Sequence, residues 1–432
     1  MMCEVPKVEK LVGVETYLTK TPGIGGKLRY YPEDFIVLEE TICPESAPDG
    51  RYTIMRVCAV NWETNRLIRA MARECKISEE HIMVAGAKDK RAVSVQAVSA
   101  IAPIEKAMSI RLPDFKIIEA YPSNTPIKLG GLVGNYFDIV VRNTVLEGKD
   151  LKAAIEETAS ALKNAGGFPN FFGIQRFGAV RPVTHIIGKY LVSGDYESAV
   201  KTYIAYPMPE EKSEASRARE YLQDTWDMKG ALNLYPRDLC FERDIIRHLS
   251  RKPNDYIGAL RALPKKLRMM FVHAFQSYVF NRVLSERIKR NIPLNIPIVG
   301  DIVVKAGKGG VDTKYTVKVT EKNIDTIAEC CKRGRCYITG LVPGTDVEIA
   351  DGVMGDIEKK IMEEEGIERK SFVIPELPEL TSRGRRRPLI APMKNLQIYP
   401  YHTCARFRFK LWPGSYATSL MREFMKGDVL DY

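Results

Sequence analysis

Apolar and polar residues alternate with a period of two over the first third of the chain and again near its end. Lys27-Leu-Arg-Tyr-Tyr31 leads into the turn signal Pro32-Glu-Asp and then Phe35-Ile-Val-Leu-Glu39, which predicts two strands. Tyr52 to Val60 predicts the next. Over 64–75 the period changes: Leu67, Ile68, Met71 and Ala72 share one face and Arg66, Arg69 and Arg73 lie elsewhere, as in an amphipathic helix. Ser78-Glu-Glu-His81 has the pattern of another helix start. Ile82-Met-Val-Ala-Gly86 is a short apolar strand stopped by glycine, and 92–100 is a second strand. The connection Ala87-Lys-Asp-Lys-Arg91 therefore holds Asp89 on a tight turn. Tyr136 to Arg142 reads as a strand, and 150–164 as a helix ended by Gly166-Gly167. Short turns rather than long crossovers join these strands, so an α+β layout with largely antiparallel pairing is expected.

Beyond about residue 185 helical periods dominate, over 196–206, 213–222 and 243–249, followed by a long helix from Leu267 to Lys289. In that helix Phe271, Phe275 and Tyr278 recur at helical spacing and are expected in the core. Strands return near 298–304, 315–319 and 336–339, and Cys404 to Trp412 alternates strictly. A chain of 432 residues exceeds what one core supports, a limit near ~250–300 residues. Two or three compact units follow, with one domain built from both chain ends and a second inserted between them.

Composition narrows the class. With 45% hydrophobic and 28% charged residues the chain is an ordinary globular protein. It has no apolar run near the ~18 residues of a membrane span, and its start, MMCEVPKVEKLVG, lacks the apolar core of a secretory signal. A cytoplasmic protein is expected. The formal net charge of +11 suits a nucleic-acid partner only if the charge is localised. Nine cysteines, odd in number and without a CxxC pair, argue against a disulfide framework and a tetrahedral zinc site, so the cluster at 330, 331 and 336 is read as reduced thiols. None of the five histidines is four residues from another, which disfavours a metallohydrolase. Thr21-Pro-Gly-Ile-Gly-Gly-Lys27 lacks the spacing of a phosphate loop, and no glycine fingerprint for a dinucleotide or methyl donor appears. Neither metal nor organic cofactor is implied.

Two stretches carry possible chemistry. In Val84-Ala-Gly-Ala-Lys-Asp-Lys-Arg-Ala-Val93 the cations at 88, 90 and 91 would keep Asp89 ionised and would attract a phosphate backbone. The segment reads either as a catalytic carboxylate or as a charged turn. Phe168-Pro-Asn-Phe-Phe-Gly-Ile-Gln-Arg-Phe-Gly178 has the aromatics, amide and Arg to stack a base and bond its edge; it reads equally as core packing. Arg383-Gly-Arg-Arg-Arg-Pro388 and Lys305-Ala-Gly-Lys-Gly-Gly310 are basic loops suited to phosphate contact, or else solvated charge runs.

Four stretches in this order resemble the TruD family of RNA (tRNA) pseudouridine synthases. They are Tyr31-Pro-Glu-Asp-Phe-Ile-Val-Leu-Glu39, Ala85-Gly-Ala-Lys-Asp-Lys-Arg-Ala-Val-Ser-Val-Gln96, Pro169-Asn-Phe-Phe-Gly-Ile-Gln-Arg-Phe-Gly178 and Leu411-Trp-Pro-Gly-Ser-Tyr-Ala-Thr-Ser419. The resemblance implies a pseudouridine-synthase catalytic domain with a mixed, mainly antiparallel sheet, in two parts over 1–184 and 385–432. An inserted α/β TRUD domain would span 185–384. It implies that Asp89 is catalytic, that Lys88 accompanies it, that Phe35 stacks on the target base, and that Asn170 and Phe172 contact the substrate. Arg29 stands where relatives often have lysine, and Ser94 where many have threonine. The reaction implied is isomerisation of a tRNA uridine, in the D arm at position 13, after the base is turned out of its stack. Asp89 would attack C1′ or remove a proton from C2′. A non-catalytic RNA-binding protein is the rival reading, and a nucleic-acid methyltransferase a more distant one.

Overall fold

A computed structural model describes residues 4–88, 91–128, 130–178, 180–208, 211, 213–307 and 309–428. The strands are β1 (Phe35–Thr41), β2 (Tyr52–Val60), β3 (Ile82–Val84), β4 (Val93–Ala100), β5 (Phe115–Ser123), β6 (Leu132–Arg142), β7 (Phe168–Pro169), β8 (Ile302–Gly307), β9 (Gly310–Lys318), β10 (Cys336–Val342), β11 (Arg385–Pro388), β12 (Ile390–Ala391), β13 (Lys394–Pro400) and β14 (Cys404–Leu411). Strands from both chain ends form one eight-stranded sheet in the order β13-β14-β6-β1-β4-β2-β5, with β3 on β4. Among the described residues only β1 and β4 of this sheet run parallel, pairing Ile36 with Val93 and Leu38 with Val95. The sheet is thus mixed and mainly antiparallel, and the fold is α+β.

Alternation decides which face is covered. Phe35 and Val37 of β1, Phe137, Ile139 and Val141 of β6, and Phe407 and Phe409 of β14 are buried in one cluster. The helices Gly148–Asn164 and Ala417–Met425 supply Leu151, Ile155, Leu162, Leu420 and Phe424 to the same cluster. The predicted helix over 64–75 forms at those bounds and buries Leu67 and Met71 against β2 and β4. Its left-handed end at Lys76 stops it.

A second sheet, β11-β10-β8-β9, is antiparallel throughout. It packs with helices around Lys265–Lys289, which is buried on most sides; Phe271 and Phe275 lie in the core as expected and Tyr278 is partly buried. The predicted helices near 196–206, 213–222 and 243–249 appear as Tyr196–Ala205, Ser213–Thr225 and Cys240–Arg251. Among the described residues, no helix is long and apolar enough to cross a membrane.

Three expectations require correction. Lys27–Tyr31 is not a strand: it makes one bridge, Lys27 with Arg142, because Gly25, Gly26 and Arg29 take positive φ and break the extended run. Ser78–His81 yields a single 3-10 turn, since β3 begins at once. Arg383–Arg387 is not a solvated loop. Arg385–Pro388 is β11, paired with β10, and Arg386 and Arg387 are buried. The 384/385 division between inserted and terminal segments falls at the start of this strand. The described cysteines are free thiols, with Cys331 and Cys336 Sγ atoms 3.3 Å apart.

Candidate active site

The Pro32-Glu-Asp turn is tied down before β1 begins. Asp34 accepts from the Tyr31 backbone N–H at 2.9 Å and from Arg142 Nε and Nη2, both at 2.7 Å. This bidentate pair sets where Phe35 enters the sheet. Phe35 is buried, edge-on to Phe137, and the Arg29 guanidinium sits 4.0 Å above its ring. Arg29 reaches this position with φ +52, a left-handed backbone that a non-glycine side chain adopts only when its surroundings hold it there.

Asp89 and Lys90 lie outside the described residues, but the residue before them is held at both ends. The Lys88 backbone N–H donates to Thr64 Oγ1 at 2.7 Å, at the start of the helix Thr64–Cys75. The Lys88 ammonium forms a buried ion pair with Glu39 of β1. Glu39 also accepts from Thr41 Oγ1 at 2.5 Å and from the Ala97 N–H at 3.3 Å. Both charges are almost fully enclosed, so the pair persists only because each is the other's counter-ion. Arg91, which follows Asp89 and Lys90 in the sequence, is exposed.

Asn170 and Phe172 form a second group. Asn170 donates to the Pro388 carbonyl at 3.0 Å and its Oδ1 accepts from Arg387 Nη2 at 2.6 Å. Arg387 also donates to the Asn170 and Gly414 carbonyls and lies 4.0 Å above the Phe172 ring. Phe172 is buried edge-on to Phe280, with Tyr416 tilted 6.2 Å away. Asn281 of the long helix clamps this segment: its Oδ1 accepts from the Phe172 N–H at 2.9 Å and its Nδ2 donates to the Phe172 carbonyl at 3.0 Å. Asn281 is fully buried, so both amide groups are matched within the protein.

A glycine contact joins the two groups. Gly309, at the tip of the β8–β9 hairpin, lines a recess with Asn170 and Arg387. Its φ is +115, and a Cβ there would stand 3.2 Å from the Val133 Cα of β6. Next to Val133, Leu132 lies beside Gly86, which follows β3, 3.5 Å from where a Cβ on Gly86 would sit. Only glycine lets the hairpin tip rest directly on β6.

Residues 11–424 match the family model described as tRNA pseudouridine synthase D (TruD). The chain belongs to this family. A probable tRNA pseudouridine synthase D of Methanococcoides burtonii is 41% identical over 437 residues, covering 99% of each chain. Another, of Methanosarcina mazei, is 41% identical over 438 residues, again covering 99% of each chain. The crystal structure of the putative TruD of Methanosarcina mazei superposes with a TM-score of 0.86 at 40% identity, covering 99% of this chain and 100% of that one. The TruD fold places the four motifs in two groups: the first two meet on β1 and β4, and the last two around Arg387. Sequence reasoning missed Glu39, Thr64, Asn281 and Arg387 as the residues that hold these motifs. Glu39 lies at the end of the first motif and Arg387 in the basic run before the last, but their inward direction is set by partners far away in the chain. Asn281 had a weak signal, as an amide inside an aromatic-rich helix.

Proposed function

We propose that this chain is a tRNA pseudouridine synthase that isomerises a uridine in tRNA, at position 13 of the D arm, with Asp89 as the catalytic residue. The observation that carries the reading is membership of the TruD family across nearly the whole chain, and the anchoring of Lys88 next to Asp89 supports it. In this reaction the bond from N1 to C1′ breaks and a bond from C5 to C1′ forms. The proton leaves C5 and N1 gains one, so atoms and electrons balance without a co-reactant. The Asp89 carboxylate acts at C1′ as nucleophile or at C2′ as base. Phe35, Arg29, Lys88, Asn170 and Phe172 form the walls that receive the extruded nucleotide, in a cytoplasmic enzyme whose terminal segments 1–184 and 385–432 carry the chemistry and whose segment 185–384 is inserted. Extrusion costs a few kcal/mol of lost stacking, which contacts to aromatic and cationic side chains offset.

The test is pseudouridine mapping by carbodiimide labelling of transcribed tRNA treated with the purified chain. A new pseudouridine at position 13 is expected. Asp89→Asn should abolish it while tRNA affinity stays within about tenfold, roughly 1.4 kcal/mol. A wild-type chain that binds tRNA and forms no pseudouridine would instead be an RNA-binding protein on a synthase fold.

A further inference from the structure

Four buried arginines have carboxylate partners among the described residues. Arg219 pairs with Glu211 and Glu242, Arg287 with Asp301, Arg386 with Glu358, and Arg422 with Glu9. Arg387 is also buried and pairs with no carboxylate among the described residues; the cations Arg385 and Arg176 are close enough to act on its charge. Among the described residues Arg385 and Arg176 have no ion pair either, and the buried Arg176 Nε has no hydrogen-bond acceptor. Arg387 directs Nε and Nη2 to the Asn170 and Gly414 oxygens, and Nη1 has no acceptor among the described residues.

These side chains line two adjoining recesses. One, of about 330 Å³, is bounded by Phe172, Arg176, His273, Ser382, Arg383 and Arg385. The other, of about 310 Å³, is bounded by Asn170, Gly309, Arg385, Arg387, Trp412 and Ser415. Arg385 belongs to both, and no Asp or Glu among the described residues lines either. Burial, then Arg176 and Arg385, hold His273 below the usual imidazole range, so it adds no charge at neutral pH. Burial first, and then Arg176, likewise lower Arg385. The guanidiniums nevertheless stay protonated. What remains is concentrated positive charge with open donors and no counter-ion among the described residues, the arrangement that bidentate recognition of a phosphate requires.

We propose that these two recesses form a phosphate-binding site, in which Arg176, Arg385 and the open edge of Arg387 hold a phosphodiester of the RNA backbone beside the extruded nucleotide. The proposal rests on the reading of the chain as a tRNA pseudouridine synthase. Position favours a backbone phosphate over a free anion. The recess wall at Gly309 rests on β6, and Leu132 of β6 lies beside Gly86, between β3 and β4, so an RNA strand engaged at that segment continues along this wall. Arg386 is excluded, because its guanidinium is fully used by Glu358, Thr339 and the Glu348 carbonyl.

The experiment measures tRNA dissociation constants of the full chain against potassium chloride concentration. Wild type is compared with Arg385→Gln, Arg176→Gln and the surface control Lys149→Gln. Each site variant should weaken binding about tenfold or more at low salt. Each should also flatten the slope of log affinity against log salt by about 0.7, the contribution of one single-strand phosphate. Lys149→Gln should do neither. Melting temperatures report whether the variants are folded. RNAs carrying one neutral methylphosphonate on either side of the target uridine identify the ligand: one such RNA should weaken wild-type binding but not bind Arg385→Gln any more weakly. Wild-type slopes in both variants, or additive effects of methylphosphonate and Arg385→Gln at both positions, overturn the site. If the wild-type chain forms no pseudouridine but the slopes change as expected, the phosphate site stands and the reading of the reaction falls. If pseudouridine forms and the slopes are unchanged, the reaction stands and the phosphate site falls.

Discussion

Arg387 Nη2 donates to Asn170 Oδ1 at 2.6 Å across 217 residues of sequence, and this bond ties β11 to the segment that ends in Phe172. It makes Asn170 an internal strut with both ends of its amide engaged, whatever it does for the substrate. Asn170→Ala should therefore cost about 1–3 kcal/mol of stability, because a buried guanidinium loses an acceptor. Asn170→Asp keeps the acceptor and should retain most of that stability. Urea denaturation of the two variants checks this; equal, full stability in both would leave Asn170 with a purely substrate-directed role.

Phe35 and Phe172 are both buried in the free protein. Their replacement by Ala should open cavities and cost about 3–5 kcal/mol each, so turnover of the Ala variants is confounded by unfolding. Phe35→Leu and Phe172→Leu keep most of the volume. Turnover lost in the Leu variants at unchanged melting temperature is the expected mark of base stacking, and normal turnover would assign the rings to packing alone.

The Lys88–Glu39 pair connects the sheet to the residue before Asp89. Glu39→Ala should strand a buried ammonium and cost about 3–5 kcal/mol, while Lys88→Met with Glu39→Leu, which removes both charges, should recover much of it. The double variant separates stability from positioning. Restored folding with lost pseudouridine formation is expected if the pair positions the Asp89 loop.

Neighbouring arginines on β11 should behave oppositely. Arg386 makes a buried pair with Glu358, with the nearest oxygens 2.8 Å from Nη2, so Arg386→Ala should cost about 3–5 kcal/mol. Arg385 has no such partner among the described residues, and Arg385→Gln should change stability by less than about 0.5 kcal/mol. Thermal unfolding of the two single variants checks the contrast. Replacing Arg385, Arg386 and Arg387 together would chiefly unfold the second sheet.

His185 supplies a pH dependence. It is buried between Phe177 and Tyr278, 4.9 Å from the latter ring, and burial pushes its pKa down to about 4. Above the ordinary value of ~6.5 neither the folded nor the unfolded state carries the proton, and the contribution to stability is complete. As pH falls from ~6.5 towards 4 the unfolded chain takes up a proton that the folded one refuses. Stability drops by on the order of 3 kcal/mol and the loss levels off below the folded pKa. Denaturation at pH 7, 5 and 4 should show this loss in wild type and a correspondingly smaller loss in His185→Leu.

Local pattern alone determined much of this protein. The periods of β1, β4, β6 and β14, of the helix Thr64–Cys75 and of the long helix Lys265–Lys289 are properties of consecutive residues, and each element formed close to its expected bounds except β6, which starts earlier, at Leu132. The four motifs, in order, were enough to indicate the family. Tertiary structure decided which way polar side chains point. Lys27–Tyr31 has strand-like alternation, yet positive φ at Gly25, Gly26 and Arg29 denies it a ladder. Arg383–Arg387 reads as one basic run, but β10 turns part of it into a strand, burying Arg386 on Glu358 and Arg387 on Asn170 while leaving Arg385 in a recess with no acid among its described lining residues. Glu39 looks like one more charge on an alternating strand until Lys88 arrives from 49 residues later. The physical reason is common to all three. Backbone periodicity depends on nearest neighbours, whereas burying a charge depends on a counter-ion or acceptor delivered by a distant segment, and only the folded chain shows which segment that is.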